Sequence, residues 1–315
     1  MIPLAEIEAA RERIAGAALR TPLVGLEVAD APAELYLKLE NLQPIGSFKL
    51  RGAGNAMALA SPDELERGVW TASAGNMAQG VAWWARRLGL HCTVVIPDTA
   101  PEAKIAAIRR LGAEIVKVSF DDWFEIFRTR THEGLEGLFV HAFSDPAVMA
   151  GNGTIGLEIL EDLPSANAVL VPFGGGGLSV GIASAVKVLS PDTGVHAVEP
   201  ETGAPLRESF AAGEPRTVEY EPSFVDGSGS PALLPKMWEL ARGVLDGATA
   251  VSLDETAAAV RLLAERARVV AEGAGALALA AALAEKGGAG NVVCVVSGGN
   301  IDPSKLATIL TGGTP

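Results

Sequence analysis

A lysine, a run of four glycines and two short polar turns are the residues in this sequence whose types and spacing could do chemistry. Lys49 lies in Asn41-Leu42-Gln43-Pro44-Ile45-Gly46-Ser47-Phe48-Lys49-Leu50-Arg51-Gly52, where turn residues give way to a helical stretch. At such a helix start, between Phe48 and Leu50, a lysine loses its proton more readily, because burial disfavours the charged form, and a neutral amine attacks carbonyl groups. The same surroundings also suit a lysine that lays its stem on apolar surface and keeps its ammonium in water. Gly174-Gly175-Gly176-Gly177-Leu178-Ser179 follows the apolar run Ala168 to Val171 and precedes a helical pattern from Leu178 to Leu189. Without Cβ atoms, several backbone N–H groups can converge on one anion, and the helix N-terminus adds partial positive charge. That makes a phosphate cradle; a tight turn with close helix packing is the structural alternative. The run is neither a dinucleotide fingerprint, since Ser179 or Val180 stands where a third glycine belongs, nor a Walker loop, since no Gly-Lys-Ser/Thr follows. Ser73-Ala74-Gly75-Asn76 and Ser297-Gly298-Gly299-Asn300 follow the apolar runs Val69 to Ala72 and Val292 to Val296. Polar loops at the C-terminal ends of parallel strands are where open α/β sheets bind ligands, and plain capped turns fit the same residues.

These positions need elements to hold them. Short β-branched runs recur at Leu35 to Leu39, Val69 to Ala72, Thr93 to Ile96, Glu114 to Val118, Ala168 to Val171, Val195 to Val198 and Val292 to Val296. Between them lie helix-like stretches: Ala78 to Leu88, Pro101 to Leu111 with proline in its first turn, and Asp254 to Val269 with Asp254 as its cap. This alternation predicts an α/β fold with parallel sheets covered by helices on both faces. The segment from Phe210 to Pro235, with four prolines and a Gly-Ser-Gly-Ser run, reads as a long loop, and long loops in compact domains are often functional. Trp83 and Trp84 read as core or interface. With 315 residues, the prior of about 150 residues per domain gives two domains.

Composition narrows the function. A formal charge of −13 argues against nucleic acid or an anionic membrane as partner, though a local anion site is compatible with it. Cys92 and Cys294 sit in apolar runs and the four histidines are scattered, so no metal-ligand spacing is present and a reduced, cytoplasmic setting is expected. Glu6 and Glu8 stand where a signal peptide would need an apolar core, and the longest apolar run, Ala274 to Ala284, is too short to span a bilayer.

Taken in order, the four segments resemble the fold-type II pyridoxal-phosphate enzymes, in the threonine/serine dehydratase and serine racemase branch. The resemblance begins at Thr21-Pro22-Leu23 and runs to Ser297-Gly298-Gly299-Asn300. It implies the two-domain, tryptophan synthase β-like architecture, with residues 1–60 and 145–315 as a large cofactor-binding domain, residues 61–144 as a small domain, and pyridoxal 5′-phosphate in the cleft between them. It further implies that Lys49, beside Phe48, carries the cofactor and abstracts the substrate Cα proton. By the same resemblance, Asn76 bonds the ring 3′-hydroxyl and Ser297 faces the pyridine nitrogen. Gly174, Gly175, Gly176, Gly177 and Leu178 hold the phosphate. Substrate contacts fall to Ser73, Ala74, Gly75, Asn76, Met77 and Asn152. The implied reaction is dehydration of a small β-hydroxy amino acid such as threonine or serine, through an aminoacrylate, to a 2-oxo acid and ammonia. The alternatives are an amino-acid racemase or a β-replacement synthase. Homodimers are usual in the family.

The sequence departs from the family at several points. Racemases of this branch carry a serine where Ala74 stands, and alanine has no proton to give. Met77 replaces a usual histidine, which implies a less polar substrate pocket, and Asn152 replaces a usual glutamine with a shorter amide; both changes weigh against threonine itself as the substrate. Some members bind a divalent cation through a Glu followed six residues on by an Asp; here these are Glu199 and Pro205, so no metal is expected. Asp226-Gly227 lies where relatives place an Asp-Gly near the substrate, and a turn explains it equally. After Ser297 only 18 residues remain, too few for an effector domain.

Overall fold

In the computed structural model, which describes residues 1–315 apart from the side chain of Ala103, ten strands form two sheets. They are β1 Leu23–Leu26, β2 Glu34–Leu39, β3 Val69–Ala72, β4 Cys92–Pro97, β5 Glu114–Val118, β6 Leu138–Phe139, β7 Ala168–Pro172, β8 Gly194–Pro200, β9 Gly247–Val251 and β10 Asn291–Val296. The larger sheet has the order β1-β2-β10-β7-β8-β9 and is parallel except for β1 against β2. The smaller has the order β5-β4-β3-β6 and is parallel throughout. The order reverses around β10 and β7 in one sheet and around β3 in the other, which opens crevices at the strand ends there.

Two-residue periodicity decides which core each side chain enters. Val293 and Val295 of β10 join Val169 and Val171 of β7 on one face of the larger sheet, against Met149, Val180 and Ile182 of the covering helices. Val292, Cys294 and Val296 join Leu37 and Leu170 on the other face, against the alanine- and leucine-rich helix Gly273–Leu283. Burial on both faces is why these strands read as unbroken apolar runs. Both cysteines are free and buried, and burial pushes each thiol up to about 12. Trp84 is core, giving its indole N–H to the Leu50 carbonyl at 2.8 Å.

Three strands lie outside the runs read from sequence: β1, two-residue β6, and β9, whose Gly-Ala-Thr-Ala-Val carries little β-branched signal. The helix expected from Asp254 begins at Leu253 instead. It is capped by Ser252 in a reciprocal box with Glu255, and gives way to a π-turn over Leu263–Ala267. The Phe210–Pro235 segment is irregular after its first turn, the helix Pro205–Ala212 running into it.

The core beneath the smaller sheet also uses residues from elsewhere in the chain. Leu50, Ala53 and Met57 of the helix Lys49–Ala58 pack with Val69, Met77 and Val94. On its other side this helix touches the helix Pro146–Asp162, where a Cβ on Gly151 would lie 2.5 Å from the Arg51 carbonyl.

Two residues beyond Lys49, the Arg51 guanidinium reaches two buried carboxylates. It bonds Glu40 with Nε and Nη2 at 2.8 Å each, and Glu158 with Nη1 at 2.6 Å and Nη2 at 2.8 Å. Lys38 Nζ adds 2.6 Å bonds to Glu158 and to the Thr21 carbonyl. Burial pushes Glu40 up, but the Arg51 charge and bonds outweigh it and hold the carboxyl below its ordinary range. Two cations thus meet two carboxylates, and the network ties the Lys49 helix to β2 and to the helix Pro146–Asp162.

Removing one partner of such a buried set leaves charge uncompensated, at a cost of about 3–5 kcal/mol, whereas exposed pairs contribute about 0–1 kcal/mol. Arg51→Ala is therefore expected to lower the denaturant midpoint far more than Arg11→Ala, which breaks the exposed Arg11–Glu161 pair. Equal shifts for the two variants would contradict this role.

Candidate active site

Lys49 is the first residue of its helix, and the turn before it is stitched to the end of β10. Ser47 bridges Gly298, the Phe48 N–H donates to the Ser297 carbonyl at 3.0 Å, and the Gly299 N–H donates to Gly46 at 2.8 Å. Gly46 has φ +72°, a backbone turn that glycine makes without strain. The amine itself donates to the Ala142 carbonyl beyond β6 at 2.6 Å and lies 5.1 Å from the centre of the Phe48 ring. Burial lowers its pKa to about 8, opposed by the charge of Glu272.

Glu272 was absent from the motifs read in sequence. Its backbone N–H donates to the Gly298 carbonyl at 3.0 Å, and its carboxylate accepts from Asn76 Nδ2 at 2.7 Å. Asn76 Oδ1 in turn accepts from Asn300 Nδ2 at 2.7 Å. This chain joins the start of the helix Asn76–Leu88 to the end of β10. Burial, then the nearby charge of Asp226, raises the Glu272 carboxyl to about 7, against the Asn76 bond and the charges of Lys104 and Lys49. The signal available in sequence was Glu272-Gly273-Ala274-Gly275-Ala276, a lone acid entering an otherwise apolar helix.

The glycine bend leaves β7 and turns into the helix Gly177–Leu189, with Gly176 at φ +89°. A Cβ on Gly175 would lie 2.1 Å from the Phe143 ring, and one on Gly177 would lie 2.5 Å from the Phe143 carbonyl. Among the described residues, the N–H groups from Gly174 to Ser179 donate to no protein acceptor, and no side chain caps this helix. N–H groups left this way at a largely buried helix start are open to an external acceptor. The helix Asn76–Leu88 likewise has no side-chain cap, and Ser73 Oγ accepts from the Gly75 N–H at 3.2 Å.

The remaining sequence candidates fall into two groups. Ser297 is buried beside Lys49, and its hydroxyl takes no partner among the described residues. Ser73, Ala74, Gly75 and Asn76 are half-buried at the end of β3. Met77 and Asn152 lie deeper. The Met77 side chain is buried in the core beneath the smaller sheet, leaving only its backbone amide to offer. Asn152 is fully buried and gives its amide N–H to the Gly177 carbonyl at 3.3 Å, bracing the glycine bend from behind. Leu178 is also a core side chain, so its contribution to an anion site is its N–H. Glu199 spends its carboxylate oxygens on the N–H groups of Leu206 at 3.0 Å and Arg207 at 2.8 Å. Among the described residues, no group of three or more His, Cys, Asp or Glu side chains could hold a metal ion. No helix is long and apolar enough to cross a membrane.

Residues 14–298 match the family of pyridoxal-phosphate dependent enzymes. The chain is 42% identical over 318 residues to an L-threonine ammonia-lyase of Thermotoga maritima, covering 99% of this chain and 79% of that protein. It is 36% identical to a catabolic L-threonine dehydratase of Staphylococcus aureus, covering 99% and 93%. A maize serine racemase superposes with a TM-score of 0.90 at 30% identity over 98% and 96% of the two chains. The processed form of threonine deaminase isoform 2 from Solanum lycopersicum gives 0.86 at 35% identity over 98% and 91%. The chain belongs to the pyridoxal-phosphate-dependent enzymes, and its fold is the fold-type II arrangement.

Among the described residues, the charge of Glu272 favours the protonated form of Lys49. Glu272→Gln is therefore expected to move the Lys49 titration downward from about 8. The measurement is the pH dependence of Lys49 acylation in cofactor-free protein, followed by peptide mass spectrometry. An unchanged or raised midpoint would show that the carboxylate does not act on the amine.

Proposed function

We propose that this enzyme is an ammonia-lyase of the threonine/serine dehydratase kind, converting a small β-hydroxy amino acid to a 2-oxo acid and ammonia. The observation that carries the reading is the buried Lys49 amine, bonded to the Ala142 carbonyl next to the Phe143 that packs on the glycine bend, on a turn stitched to the end of β10, in a chain 42% identical to an L-threonine ammonia-lyase.

The residues present fit pyridoxal phosphate. The glycine bend is a cradle that Cβ atoms would fill, lined by N–H groups without acceptors. These N–H groups, from Gly174 to Leu178, would hold the phosphate at a helix N-terminus. Lys49 would carry the aldehyde carbon, with Phe48 and Asn76 beside the ring and the free Ser297 hydroxyl at the pyridine nitrogen. When bound, the cofactor supplies an electron sink that acidifies the substrate Cα–H.

The protein's own groups then do the rest. An amine titrating near 8 is about one-tenth neutral at pH 7, some hundreds of times more than an ordinary lysine, so Lys49 Nζ can take the Cα proton, a contribution of typically about 10²- to 10⁴-fold. The Asn76–Glu272 bond holds the Asn76 amide in one orientation. Ser297 offers a neutral hydroxyl rather than a carboxylate, which favours loss of a β-leaving group over a long-lived carbanion. Ser73 and the free N–H groups at the start of the helix Asn76–Leu88 would bind the substrate carboxylate. Ala74 carries no proton for the opposite face of Cα, which weighs against the racemase reading.

We assign residues 1–60 and 145–315 to the large domain and residues 61–144 to the small one, with the Lys49 helix packed against both. The shared site lies where their strand ends meet, and closure there would exclude water. A homodimer follows from the resemblance to the family. Free, buried cysteines support a reducing, cytoplasmic setting.

Threonine and serine are expected to release ammonia and 2-oxo acid in equal amounts, with no substrate of inverted chirality. Lys49→Ala is expected to lower this turnover at least about 10⁴-fold, since it removes base and anchor together. Inverted amino acid without ammonia, or turnover that requires a second nucleophile, would contradict the reading, as would near-parental activity in Lys49→Ala.

A further inference from the structure

The carbonyl that receives the Lys49 amine belongs to Ala142, and Ala142 follows a buried histidine. His141 lies just past β6 and is only 2% exposed. Its ring is packed against Phe127, Phe143 and Phe139, with centroids 4.4, 4.9 and 6.1 Å away. Three donors converge on its Nδ1: the Phe143 N–H at 3.2 Å, the Ser144 N–H at 3.1 Å and the Ser144 hydroxyl at 3.1 Å. The Ser144 oxygen itself accepts from Arg130 Nη2 at 2.9 Å, which leaves its proton for the imidazole.

That pattern fixes the tautomer. An Nδ1 facing two backbone N–H groups must be the acceptor, so the proton sits on Nε2. A second proton would set N–H against N–H in a buried site. Burial, then the charges of Arg130 and Lys49, pushes the imidazole down to about 3, so it stays neutral. The histidine thus closes the 141–144 turn from within, as a short polar side chain closes a local turn by accepting from the backbone ahead of it.

The two residues inside this turn touch both halves of the site. Ala142 presents its carbonyl to Lys49 Nζ at 2.6 Å. Phe143 lays its ring against Gly175 and its carbonyl against Gly177, so close that neither position has room for a Cβ. We propose that His141 is a positioning residue: its unprotonated Nδ1 holds the turn that sets the Ala142 carbonyl on the Lys49 amine and seats Phe143 against the glycine bend. It touches neither the amine nor the bend, and acts through its two neighbours. The inference rests on Lys49 as the anchoring lysine.

Two measurements test it. In protein labelled with ¹⁵N-histidine, His141 is expected to be the neutral Nε2–H tautomer from about pH 6 to about pH 8. An Nδ1–H tautomer, or titration in that range, would overturn the proposal, and this experiment needs no variant to fold. His141→Leu, which cannot accept, is expected to weaken pyridoxal phosphate binding and lower kcat by about tenfold to a hundredfold, with KM changed less. His141→Asn, whose amide oxygen can accept from the same two N–H groups, is expected to restore both to within about threefold. Parental cofactor binding in the leucine variant, or no rescue by asparagine, would overturn it. Failure of the underlying reading looks different: Lys49→Ala would then retain parental cofactor binding, whatever state His141 shows.

Discussion

An amine stripped of most of its water, yet facing a carbonyl instead of a carboxylate, is the interaction on which the rest of this structure depends. Lys49 donates to Ala142 at 2.6 Å, and the acid that favours its charge, Glu272, is itself shifted toward neutrality. A carboxylate in direct contact would hold the ammonium; a fully apolar pocket would leave the amine no partner at all. The arrangement sits between these extremes and leaves the lysine titrating near 8. It also costs stability. Lys49 has a folded pKa below its ordinary 10.5, so the unfolded chain binds more protons between about 8 and 10.5 and stability rises with pH across that window. Glu272 is the reverse case, raised from 4.5 to about 7, so stability falls as pH rises through that range. Near neutrality the site carries both penalties.

Something else must hold the helix in place, and the buried set of Arg51, Glu40, Glu158 and Lys38 does so two residues away. Its value is geometric. Buried ion pairs are weak sources of net stability, but breaking one is expensive, so the arrangement that satisfies all four groups is strongly favoured over near alternatives. The helix bearing Lys49 is thereby locked to β2 and to the helix Pro146–Asp162, while its other face joins the core under the smaller sheet. The reactive amine is registered against both sheets at once.

Much of this was legible in the sequence, for physical reasons that differ by residue. Strands buried on both faces, such as Val292–Val296, advertise themselves as apolar runs, and the glycine bend and Lys49 sit at strand or helix ends that local composition marks. Contacts made at long range carry no such mark. Glu272 meets Asn76 across 196 positions, and its role is set by burial beside Asp226, which no local pattern encodes. His141 acts on its immediate neighbours, but only the fold shows that those neighbours reach Lys49 and Gly175. Met77 and Asn152 stand in recognisable motifs, but only the fold shows that the Met77 side chain joins the core and that the Asn152 amide bonds the glycine bend.

The central claim is that one particular amine bonds the cofactor. Borohydride reduction of the protein saturated with pyridoxal phosphate, followed by proteolysis and mass spectrometry, tests this most directly. The account predicts a single pyridoxyl-phosphate adduct, on the peptide containing Lys49. An adduct on any other lysine, with Lys49 unmodified, would contradict it.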